Sequence, residues 1–283
     1  MSFDQYISYS GRNIYKKCPR KYEYRYIIKE SVVSDPRTSM FGSTIGKVLE
    51  WFYTKRLWAN PDPVSSVLSY IEEAIDVVSL REKFDRSQDP AFVNLLRTDL
   101  ITYLPKAIET IRSHGFLTPD SRAEDDLTVV YGNEKYGMTL KLGGIADFVH
   151  YKNRSDVWII DGKGSKYREK YVDADQLVWY AVLHYIKYHV APSRLGFAFW
   201  RFPNDPVKWI DYDESRMRSL LDDTFDVAKK IKLKCFDATP SGECHRCDYR
   251  IKCDDGKKYI AHRRVETGGR IENSTFSLES DYE

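Results

Sequence analysis

The sequence predicts a mixed fold of class α/β (α+β), with a helical first part, a β-rich middle and helix–strand alternation after it. Three observations carry that prediction. Between Phe41 and Ser113 apolar residues recur every three to four positions, the period of a helix with one buried face. After residue 120 the pattern turns to β-branched and aromatic runs separated by turn residues: "LTVVYG" (127–132), "MTLKLGGIADFVHY" (138–151) and "DVWIIDGKG" (156–164). "DADQLVWYAVLHYIKYHV" (173–190) then returns to helical spacing, and "RLGFAFWRF" (194–202) reads as a further strand.

Taken in chain order, residues 8–30 read as helical and basic, with Arg12, Lys16, Lys17, Arg20, Lys21 and Arg25 interleaved with Tyr22, Tyr24 and Tyr26. Pro19 suits the first turn of a second short helix. "DPRTS" (35–39) reads as a loop. A helix is expected from Phe41, with Ile45, Val48, Leu49 and Phe52 on one face. Residues 62–113 continue in helical style, with Asp-Pro pairs at 62–63 and 89–90 as breakers. "KNRS" (152–155) is a hairpin turn, 214–233 a helix, and 263–283 a disordered tail.

The 283 residues suffice for one large core, or a core with a small second unit. The 44 basic and 42 acidic side chains leave a net charge of +2, so a nucleic-acid partner would have to be met by a local patch. No apolar run approaches the ~18 residues of a membrane span. "MSFDQYISYS" has neither the basic nor the apolar region of a secretory signal, so an intracellular (cytoplasmic) setting without a membrane is expected. The absence of a G-x4-G-K-[ST] loop excludes a nucleotide-driven motor of that type. In a reducing compartment the five cysteines are seldom disulfides.

The chemistry concentrates in the hairpin. If 142–151 and 157–163 pair about a turn centred near Arg154, Asp147 and Asp161 stand opposite each other, and Lys163 shares the face of Asp161. Two carboxylates so close repel unless a cation lies between them. Two readings follow. A divalent ion such as Mg²⁺ accepts one or two carboxylates and keeps waters, with the Lys163 ammonium beside it. Alternatively the lysine makes an ordinary cross-strand ion pair and the second acid is solvated. Gln176 and Tyr180, four residues apart on the following helix, share a face, where they could orient a ligand or be merely half-exposed.

"GGIADFV", "WIIDGKG" and "QLVWY", in this order after "FGSTIGKVLE", resemble the RecB-like branch of the PD-(D/E)XK nuclease superfamily. The likeness covers roughly residues 8–255. Its motifs are short, but their order and separation are specific. Asp147 falls at the family's first metal-binding Asp. Asp161-Gly162-Lys163 matches the (D/E)xK triplet, and Gln176 with Tyr180 matches QxxxY. The resemblance implies a restriction-endonuclease-like core, a central mixed β-sheet flanked by helices, that cleaves DNA phosphodiesters with Mg²⁺ or Mn²⁺. Asp147 and Asp161 would hold the metal, with the Gly162 carbonyl a further ligand. Lys163 would assist the water, and Gln176 and Tyr180 would position substrate. One departure stands out: where RecB-like members carry a histidine ligand in GxxxH, this chain has Gly42 followed by Gly46. Glu50, one turn on, is a candidate oxygen ligand or a solvated helix residue.

Cys244-x2-Cys247-x5-Cys253 places three thiols within ten residues. Cys18, in "CPRKYEY", resembles the first cysteine of family members that hold a [4Fe–4S] cluster, such as CRISPR-associated exonucleases and AddB-type subunits. The resemblance therefore implies a [4Fe–4S] cluster on Cys18, Cys244, Cys247 and Cys253, with Zn²⁺ the alternative, since both accept four cysteines. Cys235 is expected to be a small buried residue. The implied organisation is a terminal subdomain of residues 1–34 and 235–262 stapled by the cluster, a helical region 35–120 inserted before the core, a nuclease core 121–234, and the tail 263–283. Taken alone, the basic, tyrosine-rich segment reads as a solvated helix face with its tyrosines in the core; beside such a centre it gains a DNA-binding reading, Lys and Arg on phosphates and Tyr rings stacking on bases. The expected activity is a metal-dependent deoxyribonuclease, an exonuclease acting on DNA ends or single strands in recombination, repair, phage DNA metabolism or CRISPR-type adaptation. A helicase or a recombination or adaptation protein is a candidate partner. The alternative is a catalytically silent DNA-binding module of the same fold.

Overall fold

The computed structural model describes residues 3–32, 35–168 and 172–266. The chain divides into two compact units, one of Met1–Tyr6 and Asp35–Asp222, the other of Ile7–Ser34 and Asp223–Glu283.

The first unit has a helical part made of α3 (Arg37–Thr54), α4 (Pro63–Leu68), α5 (Ile71–Glu82) and α6 (Pro90–Ser113). Here α1 and α2 denote two earlier helices, Tyr9–Lys17 and Pro19–Tyr22, in the second unit. The Asp-Pro pairs turn out to be helix starts. Asp62 and Asp89 accept from the backbone N–H of Ser65 and Phe92, each at 3.0 Å, while Pro63 and Pro90 occupy first-turn positions that need no donor. The expected loop at 35–39 is corrected by a different start, with Pro36 as the N-cap of α3 and no side chain capping it. Asp35 accepts from the Arg37 N–H at 3.0 Å and α3 begins at Arg37, three residues before the apolar stripe. That stripe (Met40, Ile45, Val48, Leu49, Phe52) is fully buried against α5, α6 and one face of a sheet, through Phe148, Ile160 and Ala198.

The strands are β1 (Gln5–Ser8), β2 (Arg122–Asp126), β3 (Val129–Asn133), β4 (Met138–Gly143), β5 (Ile145–Tyr151), β6 (Val157–Lys163), β7 (Arg194–Phe199) and β8 (Val207–Ile210). They form a three-stranded sheet in the order β1-β4-β3 and a five-stranded mixed sheet in the order β2-β5-β6-β7-β8. In the larger sheet only β6 and β7 run parallel. They are joined across the sheet by α7 (Ala174–Tyr188), as a parallel pair requires. A single central sheet was expected, with 138–151 as one strand. The chain instead changes sheets at Gly144. A Cβ there would lie 2.7 Å from Leu183 Cδ1, and Trp179 Nε1 donates to Gly143 O at 3.1 Å, so α7 packs directly on the break. The strands β2 and β8 escaped the sequence reading because "RAEDD" is almost wholly polar and "VKWI" is only four residues long.

The second unit joins α1 and α2 to the end of α8 (Glu214–Lys232), a short 3-10 turn at Gly242–Arg246 and α9 (Asp254–Glu266). Tyr15, Tyr22 and Phe236 make its aromatic core. Tyr15 and Tyr22 meet edge-on at 5.5 Å, and Tyr22 stacks with Phe236 at 6.4 Å. Tyr22 is 5% exposed and Tyr24 packs on Tyr249, so packing has taken two of the rings that the DNA-stacking reading invoked. Arg12 is buried in an ion pair with Asp223, and Lys21 pairs with Asp248 at 3.2 Å. Cys235 is exposed, contrary to expectation. It follows Lys234, whose left-handed backbone turns the chain outward after α8. Helix α9 runs into the expected tail as far as Glu266, and the rest of that tail lies outside the described residues. Among the described residues no helix is long and apolar enough to cross a membrane.

Candidate active site

Strand alternation decides where the acids point. Phe148 and Ile160 face the helical core, so Asp147, Asp161 and Lys163 project from the opposite face, the one that carries α7. The paired residues Phe148↔Ile160, Val149↔Ile159, His150↔Trp158 and Tyr151↔Val157 are symmetric about position 154, and one further step sets Asp147 against Asp161. The two strands are tied there by a side chain rather than by the ladder: the Gly162 N–H donates to Asp147 Oδ2 at 2.8 Å. Asp161 is 2% exposed and its Oδ2 lies 2.6 Å from Lys163 Nζ. The lysine also donates to Gln176 Oε1 at 3.1 Å, and Gln176 Nε2 donates to Tyr180 Oη at 3.3 Å. The Lys163 ammonium stands 5.3 Å from the centre of the Phe197 ring.

Burial and charge make this an uneasy group of acids. Desolvation raises the Asp147 carboxyl well above its ordinary range, and Asp161 and Glu124 push it the same way, against the Gly162 N–H and Lys163. Asp147 keeps an accessible edge although protein surrounds the rest of it. Asp161 is raised by burial too, opposed by its ion pair with Lys163. The Tyr180 phenol is held above its usual range, first by burial and then by Asp161 and Asp147. With one ammonium facing two acids, ionising both would leave negative charge uncompensated.

Glu124 is the member that sequence reasoning missed. It sits on β2 between the pairs Ala123↔Phe148 and Asp125↔Ala146, which sets it against Asp147 on the edge away from Asp161. Its φ of 52° is left-handed, a conformation rare for a residue with a Cβ. Partial desolvation raises its carboxyl, followed by Glu50, while Lys47 and Arg81 oppose the rise. Glu50, weighed from the sequence as a ligand, is held by Lys47 one turn earlier on α3. A Cβ at Gly46 would meet nothing within 4 Å, so the position of the family histidine is open space.

In the second unit, Cys18, Cys244, Cys247 and Cys253 line one cavity of about 30 Å³ together with Tyr24, Pro240 and Tyr249. Two of the sulfurs accept backbone N–H bonds, Cys244 from Ser241 and Cys253 from Gly256, each at 3.4 Å. Burial raises the Cys247 thiol. Among the described residues no three His, Cys, Asp or Glu side chains form a group that could hold a metal ion. In the acid cluster Asp147 accepts from the Gly162 N–H, whereas Asp161 Oδ2 is ion-paired with Lys163 but has no hydrogen-bond partner among the described residues.

The family model of the PD-(D/E)XK nuclease superfamily matches residues 6–254, and the chain belongs to that superfamily, whose members are usually metal-dependent nucleases. Among solved structures it is similar to one titled "Crystal structure of SSO0001", with 12% identity, a TM-score of 0.39, and coverage of 90% of this chain and 89% of that one. No curated protein sequence matches it.

Proposed function

We propose that the chain is a metal-dependent DNA nuclease that hydrolyses phosphodiesters at DNA ends or in single strands, with Asp147, Asp161 and Lys163 at its centre. The observation that carries this reading is the placement of these three groups on one sheet face, with more negative charge than the lysine offsets. Oxygen donors of this kind suit Mg²⁺ or Mn²⁺, and Asp147 and Asp161, with the Gly162 carbonyl and Glu124 adjoining, are the residues that would hold such an ion. The ion would supply Lewis acidity and a nucleophilic water near neutral pH. The protein's own contribution is orientation. The Gly162 N–H fixes Asp147, the sheet fixes Asp161, and the Lys163 ammonium stands where charge grows on the phosphate.

The terminal unit takes a metal centre in the same reading. A zinc ion needs four sulfurs about 2.3 Å from one point, whereas in a [4Fe–4S] cube each thiolate binds a different iron, so the sulfurs stand apart around a cavity. Four cysteines that line one cavity support a metal centre there, a [4Fe–4S] cluster in this reading with Zn²⁺ the alternative. The backbone N–H donors to sulfur are of the kind that tune such clusters.

The test is cleavage of end-labelled single- and double-stranded DNA with Mg²⁺ or Mn²⁺ by the wild type, Asp161→Ala and Lys163→Ala. Cleavage by the wild type alone supports the assignment, and equal cleavage by all three removes the activity from this site. A second reading, a silent DNA-binding module, draws on Gly46 and on an Asp147 carboxylate that already accepts from a protein donor. It expects DNA binding without cleavage under either metal.

A further inference from the structure

The three-stranded sheet leaves aromatic rings in water on its outer face. In β4 Met138, Leu140 and Leu142 are buried, so Thr139, Lys141 and Gly143 point the other way. β1 alternates in the same manner: Ile7 is buried and Tyr6 is 51% exposed. The Tyr6 ring lies directly over Gly143, where a Cβ would overlap its Cε2, Cζ and Oη atoms. Glycine thus gives the ring a seat, and nothing larger would. Phe3 is 44% exposed, and the Lys141 ammonium stands 5.7 Å from the centre of its ring, close enough for a cation–π contact. Asp4, the acid at this end of β1, is tied to the sheet edge, its Oδ2 accepting the Thr139 N–H at 2.8 Å. A single exposed ring is ordinary. Two rings beside a lysine, one of them seated on a glycine, make a strip with the chemistry of a nucleic-acid platform. Gly143 stands four residues before Asp147, so the seat of Tyr6 lies at most about 14 Å from the first acid. Phe3, Tyr6, Lys141, Gly143 and Asp147 all belong to the first unit.

We propose that this strip is a single-strand platform that delivers DNA to the acid pair, with bases stacked on Tyr6 and Phe3 and a phosphate met by Lys141. The destination of the strand rests on the nuclease reading above; the binding does not. Every base has a face to stack, so the platform is tolerant of sequence. Bases in a closed duplex are already stacked on one another and offer no free face. The strip therefore selects single strands and frayed ends. It also assigns stacking to rings other than Tyr22 and Tyr24, which packing in the second unit has taken.

The test measures binding of the full chain in EDTA, by fluorescence anisotropy of a labelled oligothymidylate and of a labelled closed hairpin duplex. Tyr6→Ala is expected to weaken the oligothymidylate about tenfold or more and to leave the hairpin unchanged. Tyr6→Phe should bind like the wild type, since the ring and not the hydroxyl stacks. Lys141→Ala should reduce the slope of log K against log salt for the single strand by about 0.7, the share of one phosphate contact. Equal oligothymidylate affinity in wild type and a folded Tyr6→Ala, an unchanged salt slope in Lys141→Ala, or a wild type that binds no single strand overturns the platform. Lost self-association in Tyr6→Ala with DNA affinity intact, read by sedimentation, overturns it in favour of a second copy on this face. Cleavage with added Mg²⁺ or Mn²⁺ is scored separately. Strands bound through Tyr6 but not cut keep the platform and remove the nuclease reading, whereas cutting with KM for single strands unchanged in Tyr6→Ala removes the platform and keeps the nuclease.

Discussion

The backbone N–H of Gly162 donates to Oδ2 of Asp147 across 2.8 Å, so the strands that carry the two central acids are joined at the acids themselves. The residue between Asp161 and Lys163 is therefore more than a spacer. A Cβ at Gly162 would lie 2.8 Å from Trp200 Nε1, on the sheet face opposite the acids.

Gly162→Ala should then push β6 away from Trp200 and loosen the Asp147 contact. The expected result is destabilisation by about 1–3 kcal/mol in thermal or urea unfolding, together with weakened metal-dependent activity. Trp200→Phe in the same chain removes the obstructing indole edge and should restore part of both. If Gly162→Ala unfolds like the wild type, the close approach is not what requires glycine.

The raised acids give a pH dependence with a definite sign. A carboxyl whose folded-state pKa exceeds its unfolded value binds protons better when folded, so its effect on stability is favourable at low pH and is lost as pH rises through the raised value. The metal-free protein should thus gain stability from Asp147→Asn at pH 8 and little at pH 4. Mg²⁺ or Mn²⁺, by compensating the same charge, should raise Tm more at pH 8 than at pH 5. Differential scanning fluorimetry across pH, with and without metal, checks both, and a metal shift that does not depend on pH counts against ligation by these acids.

How much of this was legible beforehand depended on whether the relevant signal was local. The strand alternation around "WIIDGKG" and the turn near Arg154 are local, and together they specify a register about position 154. The acids at 147 and 161 could therefore be brought together on paper. Glu124 could not. It lies in "RAEDD", which reads as a solvated acidic stretch, and its relation to Asp147 exists only once β2 is laid antiparallel to β5. The split of 138–151 into two sheets was hidden for a related reason, since Trp179 and Leu183, which press on Gly144, come from a helix thirty-odd residues on. The misread loop at 35–39 and the buried Tyr22 are a different case. Proline reads as a stop where it serves as a start, and a tyrosine beside lysines reads as a ring for stacking on bases where the aromatic core needs it.

Gly46 offers a gain rather than a loss. Glycine inside a helix costs roughly 0.5–1 kcal/mol relative to alanine, and nothing stands within 4 Å of the Cβ position here. Gly46→Ala should stabilise the chain by about that amount. Gly46→His should fold equally well and tighten Mn²⁺ more than Mg²⁺, because an imidazole prefers the softer ion. Calorimetric titration of both metals against the two variants measures it. Unchanged Mn²⁺ affinity in Gly46→His means that this turn of α3 does not reach the ion.

His150 predicts an acid limit for the fold. It is fully buried between the stacked rings of Phe116 and Phe148; Nδ1 lies 3.0 Å from Ser121 Oγ, and Nε2 has no hydrogen-bond partner. Burial lowers its pKa to about 3, with Lys152 adding to the effect. A histidine depressed in this way binds its proton better when unfolded. Stability is therefore intact above the ordinary histidine range and falls as pH drops from about 6.5 toward 3, by several kcal/mol in all. His150→Phe should flatten that decline in urea titrations between pH 7 and pH 4, whatever it does to stability at neutral pH.

The four-cysteine cavity makes a prediction that likewise favours the higher pH. Thiolates, not thiols, bind metal, and burial holds the Cys247 thiol above its usual range, so loading has to displace a proton at neutral pH. Anaerobic reconstitution with iron and sulfide should therefore be more complete at pH 8.5 than at pH 6.5. The loaded protein should be coloured, and Cys18→Ala should lose the colour while Cys235→Ala, whose thiol is exposed and outside the cavity, keeps it. Because Cys18 lies more than two hundred residues from Cys244, a centre joining them closes a long loop and should raise the unfolding temperature of the chain. Zinc in place of iron would leave the protein colourless but stabilised. A chain that takes up neither metal, or unfolds at the same temperature with and without it, would falsify the staple.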